Sequence, residues 1–200
     1  MPPICGGARQ SFGMLDVRPL GLDGLHEIRP ARFGDDRGFF SETWSGAALA
    51  SAGFPLAFVQ DNHSYSAARG VLRGLHYQLP PAAQDKLLRV SRGSIYDVAV
   101  DIRRGSPTFG RWVGLVVSAE LWNQVLIPKG FAHGFVTLEE HSEVQYKVTA
   151  GYAREQDRAI RFDDPAIGID WPIGAGELTL SDKDRAAPLL TDAELPETWS

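Results

Sequence analysis

The sequence predicts an all-β fold, a sandwich or barrel made of many short strands. Apolar and polar residues alternate with a period of two in its clearest segments, which is the spacing of a strand with two different faces. Glycine and proline interrupt the apolar runs at close intervals, as in proteins built from strands and tight turns. Helical periodicity is weak by comparison. An all-β architecture with a few short helices is therefore the interpretation that these observations favour.

The clearest strand runs from Ile95 to Ile102. Its even-numbered apolar residues share one face, whereas Asp97 and Asp101 share the other, and this period is two rather than 3.6. Similar runs predict five further strands: Leu87–Val90, Trp112–Val117, Val125–Ile127, Phe135–Leu138 and Glu143–Val148. Turn sequences separate these runs: Arg92-Gly93, Gly105-Ser106-Pro107 and Pro128-Lys129-Gly130.

Helix is favoured in two short segments only. These are Ser45–Ala52 and Ser181–Ala187, and the second is expected to be capped by Ser181 or Asp182. Residues 1–13, which are rich in proline and glycine, are predicted to form a flexible tail. Residues 14–200 contain no repeat, low-complexity tract or linker, and their length is near that of one domain. We therefore expect residues 14–200 to form a single domain.

The composition excludes several classes of function. The net charge is -5, from 25 acidic and 20 basic residues, which does not suit non-specific binding to nucleic acid. The single cysteine, Cys5, has no partner for a disulfide within the chain. No signal-peptide pattern opens the sequence, and no apolar run approaches the ~18 residues of a membrane span. We expect a soluble cytoplasmic protein without a membrane or nucleic-acid partner.

Two segments carry residues suited to chemistry. In Arg73–Gln78 a histidine, His76, follows an arginine within an apolar strand, and Lys86 comes ten residues later, which favours a basic, partly enclosed pocket. The segment Ile127–Phe135 resembles the second half of the cupin signature. A metal-binding cupin also needs a first half with two histidines one residue apart, followed by a glutamate. Because this half is absent after His76, we predict no metal site and no cofactor.

Eight segments together resemble one enzyme family in order and spacing. The resemblance covers roughly residues 18–190, and it is to the dTDP-4-dehydrorhamnose 3,5-epimerases. It implies a cupin-type jelly roll, a homodimer in which the segment around Arg37 reaches toward the partner subunit, and a dTDP-linked 4-keto-6-deoxy sugar as substrate. The segments are Phe33–Phe40, Val59–Ser64, Arg73–Gln78, Ser106–Gly110, Ile127–Phe135, Gln145–Lys147, Asp163–Pro172 and Leu180–Asp184.

The implied reaction requires three chemical roles. A 4-keto group acidifies the hydrogens on both neighbouring carbons, so inversion needs a base on one face, an acid on the other and a positive charge for the enolate oxygen. The resemblance implies that His76 is the base, that Asp184 orients it and that Tyr146 is the acid. Lys86 is the expected enolate-stabilising cation, since a desolvated ammonium is a strong point charge. Alternation independently points Tyr146 inward.

Each of these residues has an ordinary structural alternative. A strand histidine such as His76 is often a hydrogen-bonded core residue, and Tyr146 can be a core aromatic. Asp184 can cap a helix or lie exposed on it, and Lys86 can be a solvated loop residue. The resemblance further implies contacts to the nucleotide, the phosphates and the sugar from Arg37, Glu42, Gln60, Asn62, Arg73, His133 and Tyr152. Surface ion pairing is the alternative for each arginine.

Two details of the sequence bear on this site. Strict alternation places Arg73 and His76 on opposite faces of one strand, and a bulge at Gly74 would bring them to the same face. The family usually carries a small residue before the lysine, where this chain has Asp85, which bears on substrate range. The alternatives to a 3,5-epimerase are a mono-epimerase acting on one carbon, a non-catalytic sugar-nucleotide binder and a metal-dependent cupin oxygenase.

Overall fold

A computed structural model describes residues 10–199 of the protein. Within this range the chain is mostly strand, with two short α-helices, α1 (Gly46–Ser51) and α2 (Asp182–Arg185), and 3-10 turns at Ala175–Glu177 and Leu190–Asp192. The strands are β1 (Gln10–Phe12), β2 (Leu15–Pro19), β3 (His26–Pro30), β4 (Phe33–Asp35), β5 (Gly38–Phe40), β6 (Gln60–Ser66), β7 (Leu72–Gln78), β8 (Lys86–Arg92), β9 (Ser94–Asp101), β10 (Trp112–Ser118), β11 (Gln124–Ile127), β12 (Phe131–Thr137), β13 (Ser142–Val148) and β14 (Asp157–Ala159).

Two antiparallel sheets form the body of the fold. A seven-stranded sheet has the order β1-β2-β3-β11-β8-β13-β6, and a five-stranded sheet has the order β10-β9-β12-β7-β14. Many neighbouring strands are distant in sequence, because the chain crosses repeatedly between the sheets. The β4–β5 hairpin is separate from both. This arrangement is a cupin-like jelly roll and confirms the predicted all-β sandwich.

The core between the sheets is built from the inward faces of their central strands. Leu88 and Val90 of β8 and Val144 of β13 pack there against Ile95 of β9 and Phe135 of β12. Alternation along each strand produces this layer, since every second side chain points inward. The interior is apolar over most of its length and becomes polar toward one end.

The segment after β14 covers the outer face of the five-stranded sheet. Ile160, Ile167 and Trp199 pack there with Val98 and Val100 of β9. Strand β9 is therefore buried on both faces, and the aspartate face predicted from its alternation is the one that points into the sandwich. Its two aspartates, Asp97 and Asp101, are fully buried.

The predicted elements correspond to observed ones. All six predicted strands are present as β8 to β13, and both predicted helices are confirmed, although each is shorter than expected. Ser45 caps α1 and Ser181 caps α2 through their hydroxyls. Of the predicted tail, residues 1–9, with Cys5, lie outside the described residues, while residues 10–12 form β1, which pairs with β2. No described helix has the length and apolar character needed to cross a membrane.

Candidate active site

A cavity of about 630 Å³ opens between the two sheets at the polar end of the sandwich. The five-stranded sheet contributes β7 and β12 to its wall, and the seven-stranded sheet contributes β6, β8 and β13. Helix α2 closes part of its rim. This volume lies within the range of small-molecule sites in proteins. The polar and charged side chains that line it include Ser64, Arg73, His76, Lys86, His133, Tyr146, Tyr152, Asp157, Lys183 and Asp184.

A bulge in β7 brings Arg73 and His76 to the same cavity. His76 pairs with His133 of β12, and Arg73 pairs with Phe135. Between these two pairs β7 takes three residue steps while β12 takes two, so β7 contains one extra residue. The extra residue reverses the alternation, as predicted at Gly74. A Cβ atom at Gly74 would lie 2.4 Å from the Cα of Gly134, so only glycine allows the two strands to approach here.

His76 and Asp184 form a hydrogen-bonded pair across the cavity rim. The Nε2 of His76 lies 2.5 Å from Oδ1 of Asp184, which is buried. The hydroxyl of Ser181 donates to the other carboxylate oxygen at 2.8 Å. Burial raises the pKa of Asp184, but the interactions with His76, Ser181 and Lys183 together outweigh it and the net shift is downward. An ionised Asp184 keeps a proton on Nε2, so Nδ1 of His76 is the nitrogen that can accept one.

Tyr146 stands on the opposite wall of the cavity. It belongs to β13 of the seven-stranded sheet, whereas His76 belongs to β7 of the five-stranded sheet. Burial raises the pKa of Tyr146, and the positive charge of Arg73 opposes this shift only in part. The phenol therefore keeps its proton at neutral pH and is suited to donate it.

Lys86 places a buried ammonium group between these walls. Its side chain is 9% exposed, and Nζ donates to the carbonyl oxygen of His76 at 3.5 Å. Burial lowers the pKa of Lys86 to about 8, although the negative charges of Asp97 and Asp157 oppose the shift. The group remains mostly charged at neutral pH, and its low-dielectric surroundings strengthen its attraction for a developing negative charge.

Arg73 and His133 complete the five-stranded wall. His133 is buried and its Nε2 lies 2.7 Å from Oδ2 of Asp97. One guanidinium nitrogen of Arg73, Nη2, donates to the carbonyl oxygen of Tyr65 at 3.2 Å and to the hydroxyl of Ser66 at 3.4 Å. These bonds anchor one side of the guanidinium, and its other N–H groups are available to an anion at the cavity rim.

Gln60, Asn62 and Tyr152 form a connected group beside the cavity mouth. Gln60 donates through Nε2 to Oδ1 of Asn62 at 2.7 Å, and the backbone N–H of Tyr152 donates to Oε1 of Gln60 at 3.1 Å. The ring of Tyr152 lines the cavity and is 63% exposed, and its hydroxyl donates to Asp157 at 3.2 Å. An exposed aromatic ring at a cavity mouth can stack on a nucleobase.

Arg37 and Glu42, like Gln60 and Asn62, are not among the residues that line the cavity of their own chain. Arg37 lies in the β4–β5 turn, with 89% of its side chain exposed, and pairs with Asp35 at 2.5 Å. Glu42 is also exposed, just after the hairpin. Sequence reasoning had placed the Arg37 segment toward a partner subunit, and its position on an exposed hairpin is compatible with that prediction.

Several cavity residues were missed by sequence reasoning. Asp157 and Lys183 form an ion pair at the mouth, and Ser64 presents a buried hydroxyl with no hydrogen-bond partner among the described residues. Lys183 belongs to a segment that had been recognised, but Asp157 lies in β14, which is too short to give a pattern. Asp85, by contrast, points away from the cavity and binds the backbone N–H of Lys129 at 3.1 Å.

The jelly roll and its cavity define a class of protein, a cupin-fold enzyme whose cavity is lined by titratable side chains from two facing sheets. The family model for dTDP-4-dehydrorhamnose 3,5-epimerase matches residues 19–192, and the chain belongs to this family. An epimerase of this name from Pseudomonas aeruginosa is 55% identical over 168 residues, which is 84% of this chain and 91% of that protein.

Solved structures show the same relationship. The crystal structure of a 3,5-epimerase from Legionella pneumophila, in complex with dTDP-4-keto-L-rhamnose, is 48% identical, with a TM-score of 0.82 over 86% of this chain and 90% of that one. A 3′-monoepimerase from Streptomyces bikiniensis, in complex with dTDP-quinovose, is 36% identical, with a TM-score of 0.81 over 86% and 87% of the two chains. The solved structures similar to this chain therefore include a 3,5-epimerase and a 3′-monoepimerase.

Proposed function

We propose that the protein inverts C3 and C5 of dTDP-4-dehydro-6-deoxy-D-glucose and so forms dTDP-4-dehydro-L-rhamnose. The observation that carries this proposal is the placement of His76 and Tyr146 on opposite sheets, facing one cavity. With a base on one side of a flat enolate and an acid on the other, the new proton arrives on the face opposite the one that lost its proton. That is the requirement for inversion, and a binding protein has no use for it.

The geometry supports the following proton transfers. Nδ1 of His76 removes the hydrogen next to the ketone, and Asp184 stabilises the resulting imidazolium. The C4 oxygen gains negative charge, which the ammonium of Lys86 stabilises. Tyr146 then donates its proton from the other wall. Both carbons flank the same ketone, so the same groups serve each inversion in turn, and solvent restores their protons between the two.

Other residues are suited to bind the nucleotide, the phosphates and the sugar of the substrate. Arg73 can hold a phosphate through two parallel N–H donors, and Tyr152 can stack on thymine at the mouth. Gln60 and Asn62 supply amide groups near the same edge. His133 lines the same cavity, where it can contact the sugar.

We propose that the active form is a homodimer in which Arg37 and Glu42 reach the cavity of the partner subunit. The β4–β5 hairpin supports this because Phe33, Phe39 and Phe40 are 52%, 54% and 70% exposed. Three exposed phenylalanines on one short hairpin form an apolar surface of the kind that often marks a protein–protein contact. We also propose that the reaction needs no metal, since Lys86 supplies the charge for the enolate, and that the enzyme is cytoplasmic.

A mono-epimerase is the second candidate function. The observation that favours it is the 36% identity to a 3′-monoepimerase whose fold has a TM-score of 0.81 with this one. The base and acid described above would serve one carbon as well as two. The two functions differ only in whether the second carbon next to the ketone also reaches His76 and Tyr146.

Deuterium exchange distinguishes them. The protein is incubated with dTDP-4-keto-6-deoxyglucose in deuterium oxide, with and without a chelator, and the label at each carbon is read by NMR. We expect deuterium at both C3 and C5, an L-rhamno product after a following reductase, and equal rates in chelator. Label at one carbon alone would assign the protein as a mono-epimerase. A loss in chelator that returns with added metal would contradict the metal-free mechanism.

A further inference from the structure

Asp97 is a buried carboxylate beneath the cavity that the proton transfers do not use. It lies on β9, between β10 and β12, and has no exposed surface. Its Oδ2 bonds His133, but Oδ1 has no hydrogen-bond partner within the described part of the chain. An incompletely paired buried carboxylate costs stability, so its presence needs an explanation.

His133 lies between this carboxylate and the substrate space. Its strand pairs with β9 on one side and with β7 on the other, and His133 is the direct cross-strand neighbour of His76. The ring lines the cavity while its Nε2 is 2.7 Å from Asp97. A carboxylate can only accept a hydrogen bond, so Nε2 carries the proton and Nδ1 is left as an acceptor.

The second inward-facing aspartate of β9 provides a contrast. Asp101 accepts hydrogen bonds from Arg103, Ser106 and Thr108 at 2.6–3.0 Å, and so fixes the turn after its own strand. Asp97 makes no such local bonds. It bonds the cavity residue His133, and its negative charge favours the charged form of Lys86. The two carboxylates have the same burial and different neighbours, which indicates a structural role for one and a role at the site for the other.

We propose that Asp97 is a positioning residue that fixes His133 with its proton on Nε2 and presents Nδ1 as the acceptor for a hydroxyl of the bound sugar. The inference deepens the proposed function and rests on it for the identity of the sugar. It makes the floor of the cavity a second histidine–carboxylate pair beside His76 and Asp184. In the first pair the free nitrogen takes a proton from carbon, and in the second it holds a hydroxyl in place.

The protonation state of His133 can be measured without any activity. The protein is labelled with ¹⁵N-histidine, and long-range ¹H–¹⁵N NMR spectra of the free enzyme report which ring nitrogen carries the proton. The His133 signals are assigned by their loss in His133→Gln. We expect the Nε2–H form alone at pH 8. An Nδ1–H form in the wild-type enzyme would overturn the proposal, whereas absence of epimerase activity would leave this result unaffected and would count only against the proposed function.

Kinetics then test whether Asp97 acts through His133. Asp97→Asn offers an amide that can donate to Nε2 as well as accept from it, so both ring forms should become populated. We expect kcat/KM to fall about 10- to 100-fold, the usual cost of one misplaced buried hydrogen bond. In a His133→Gln background the same substitution should cost less than about twofold, because the two residues act as one unit. Losses that multiply in the double variant would show that Asp97 acts elsewhere and would reject the proposal.

Asp101→Asn is the matched control. It removes a carboxylate from the same face of the same strand, and it should lower the melting temperature while leaving the His133 nitrogen signals unchanged. If Asp97→Asn does not fold, the wild-type spectrum and the His133→Gln kinetics still test the proposal. Full activity in His133→Gln would show that His133 makes no important contact with the sugar. A shift of the His133 signals in Asp101→Asn equal to that in Asp97→Asn would also count against a specific role.

Discussion

The two walls of the cavity differ in what stands behind their functional side chains. On the five-stranded wall, His76 and His133 each bond a buried carboxylate, Asp184 and Asp97. On the seven-stranded wall, Tyr146 and Lys86 have no carboxylate bonded to them among the described residues, and burial is the main influence on the pKa of each. Negative charge behind a histidine suits it to gain a proton, whereas burial keeps a phenol protonated. The walls are therefore suited to opposite directions of proton transfer.

Loss of the base should have the largest effect. His76→Asn keeps a polar group of similar size but removes the nitrogen that accepts the proton. We expect deuterium exchange at both carbons to fall about 10,000-fold, at the upper end of what a positioned base contributes. Binding of dTDP, measured by calorimetry, should be unchanged because the phosphate contacts lie elsewhere. Exchange at the wild-type rate would remove His76 from the mechanism.

Loss of the acid should separate proton removal, assigned to one wall, from inversion, which needs both walls. Tyr146→Phe preserves the ring packing, the base and Lys86, and deletes only the donor. Inversion should fall roughly 1,000-fold. The enolate still forms, and it is reprotonated from the original face after the imidazolium has exchanged with solvent. Deuterium should therefore enter substrate of unchanged configuration faster than inverted product appears, as measured by NMR on one sample. Equal losses of both would mean that Tyr146 supports proton removal itself.

The pH dependence of the rate tests the role of Lys86 on the seven-stranded wall. Burial lowers the pKa of Lys86 to about 8, so the ammonium is present below that pH and is lost as the pH rises through it. The rate should fall about fivefold between pH 8 and pH 9 if the charge stabilises the enolate, because the charged fraction of Lys86 drops from about one half to about one tenth. Lys86→Gln should be slower at neutral pH and should lack this decline. A wild-type rate that is flat to pH 10 would contradict the assigned role.

The smallest effect is expected outside both walls. Arg37→Ala should raise KM about fivefold with little change in kcat, because the contact proposed for the partner subunit binds the nucleotide portion and not the reacting carbons. Steady-state kinetics measure this, and Arg161→Ala, another exposed arginine paired with an aspartate, is the control. An unchanged KM, or a monomer in sedimentation experiments on active enzyme, would reject the proposed intersubunit contact.

The sequence allowed much of the fold to be predicted, and the reason lies in apolar alternation. Strands β8 to β13 carry regular apolar positions and were found, and Tyr146 was correctly placed on an inward face. Strand β6 was not read as a strand from its pattern because its inward residues, such as Gln60 and Asn62, are polar. The burial of Asp97 was not predicted, because an aspartate face looks like a solvent-exposed one when no partner is known.

Long-range geometry limited the prediction of the site. Asp184 follows His76 by 108 residues, and no local pattern connects them, so only the family resemblance indicated the pair. Arg73 and His76 lie on one side only because β7 contains an extra residue, which alternation alone does not reveal. The ion pair of Asp157 with Lys183 depends on the placement of a three-residue strand.

The close approach of Gly74 and Gly134 has a consequence for enzyme engineering. The offset that turns both Arg73 and His76 toward the cavity is held by two backbones in contact and not by the side chains that line the cavity. Cavity residues such as Ser64 can therefore be varied in a library for other keto sugars without disturbing that offset. The two glycines should stay fixed in such a library, because a side chain at either position would separate the strands and displace the base from every substrate alike.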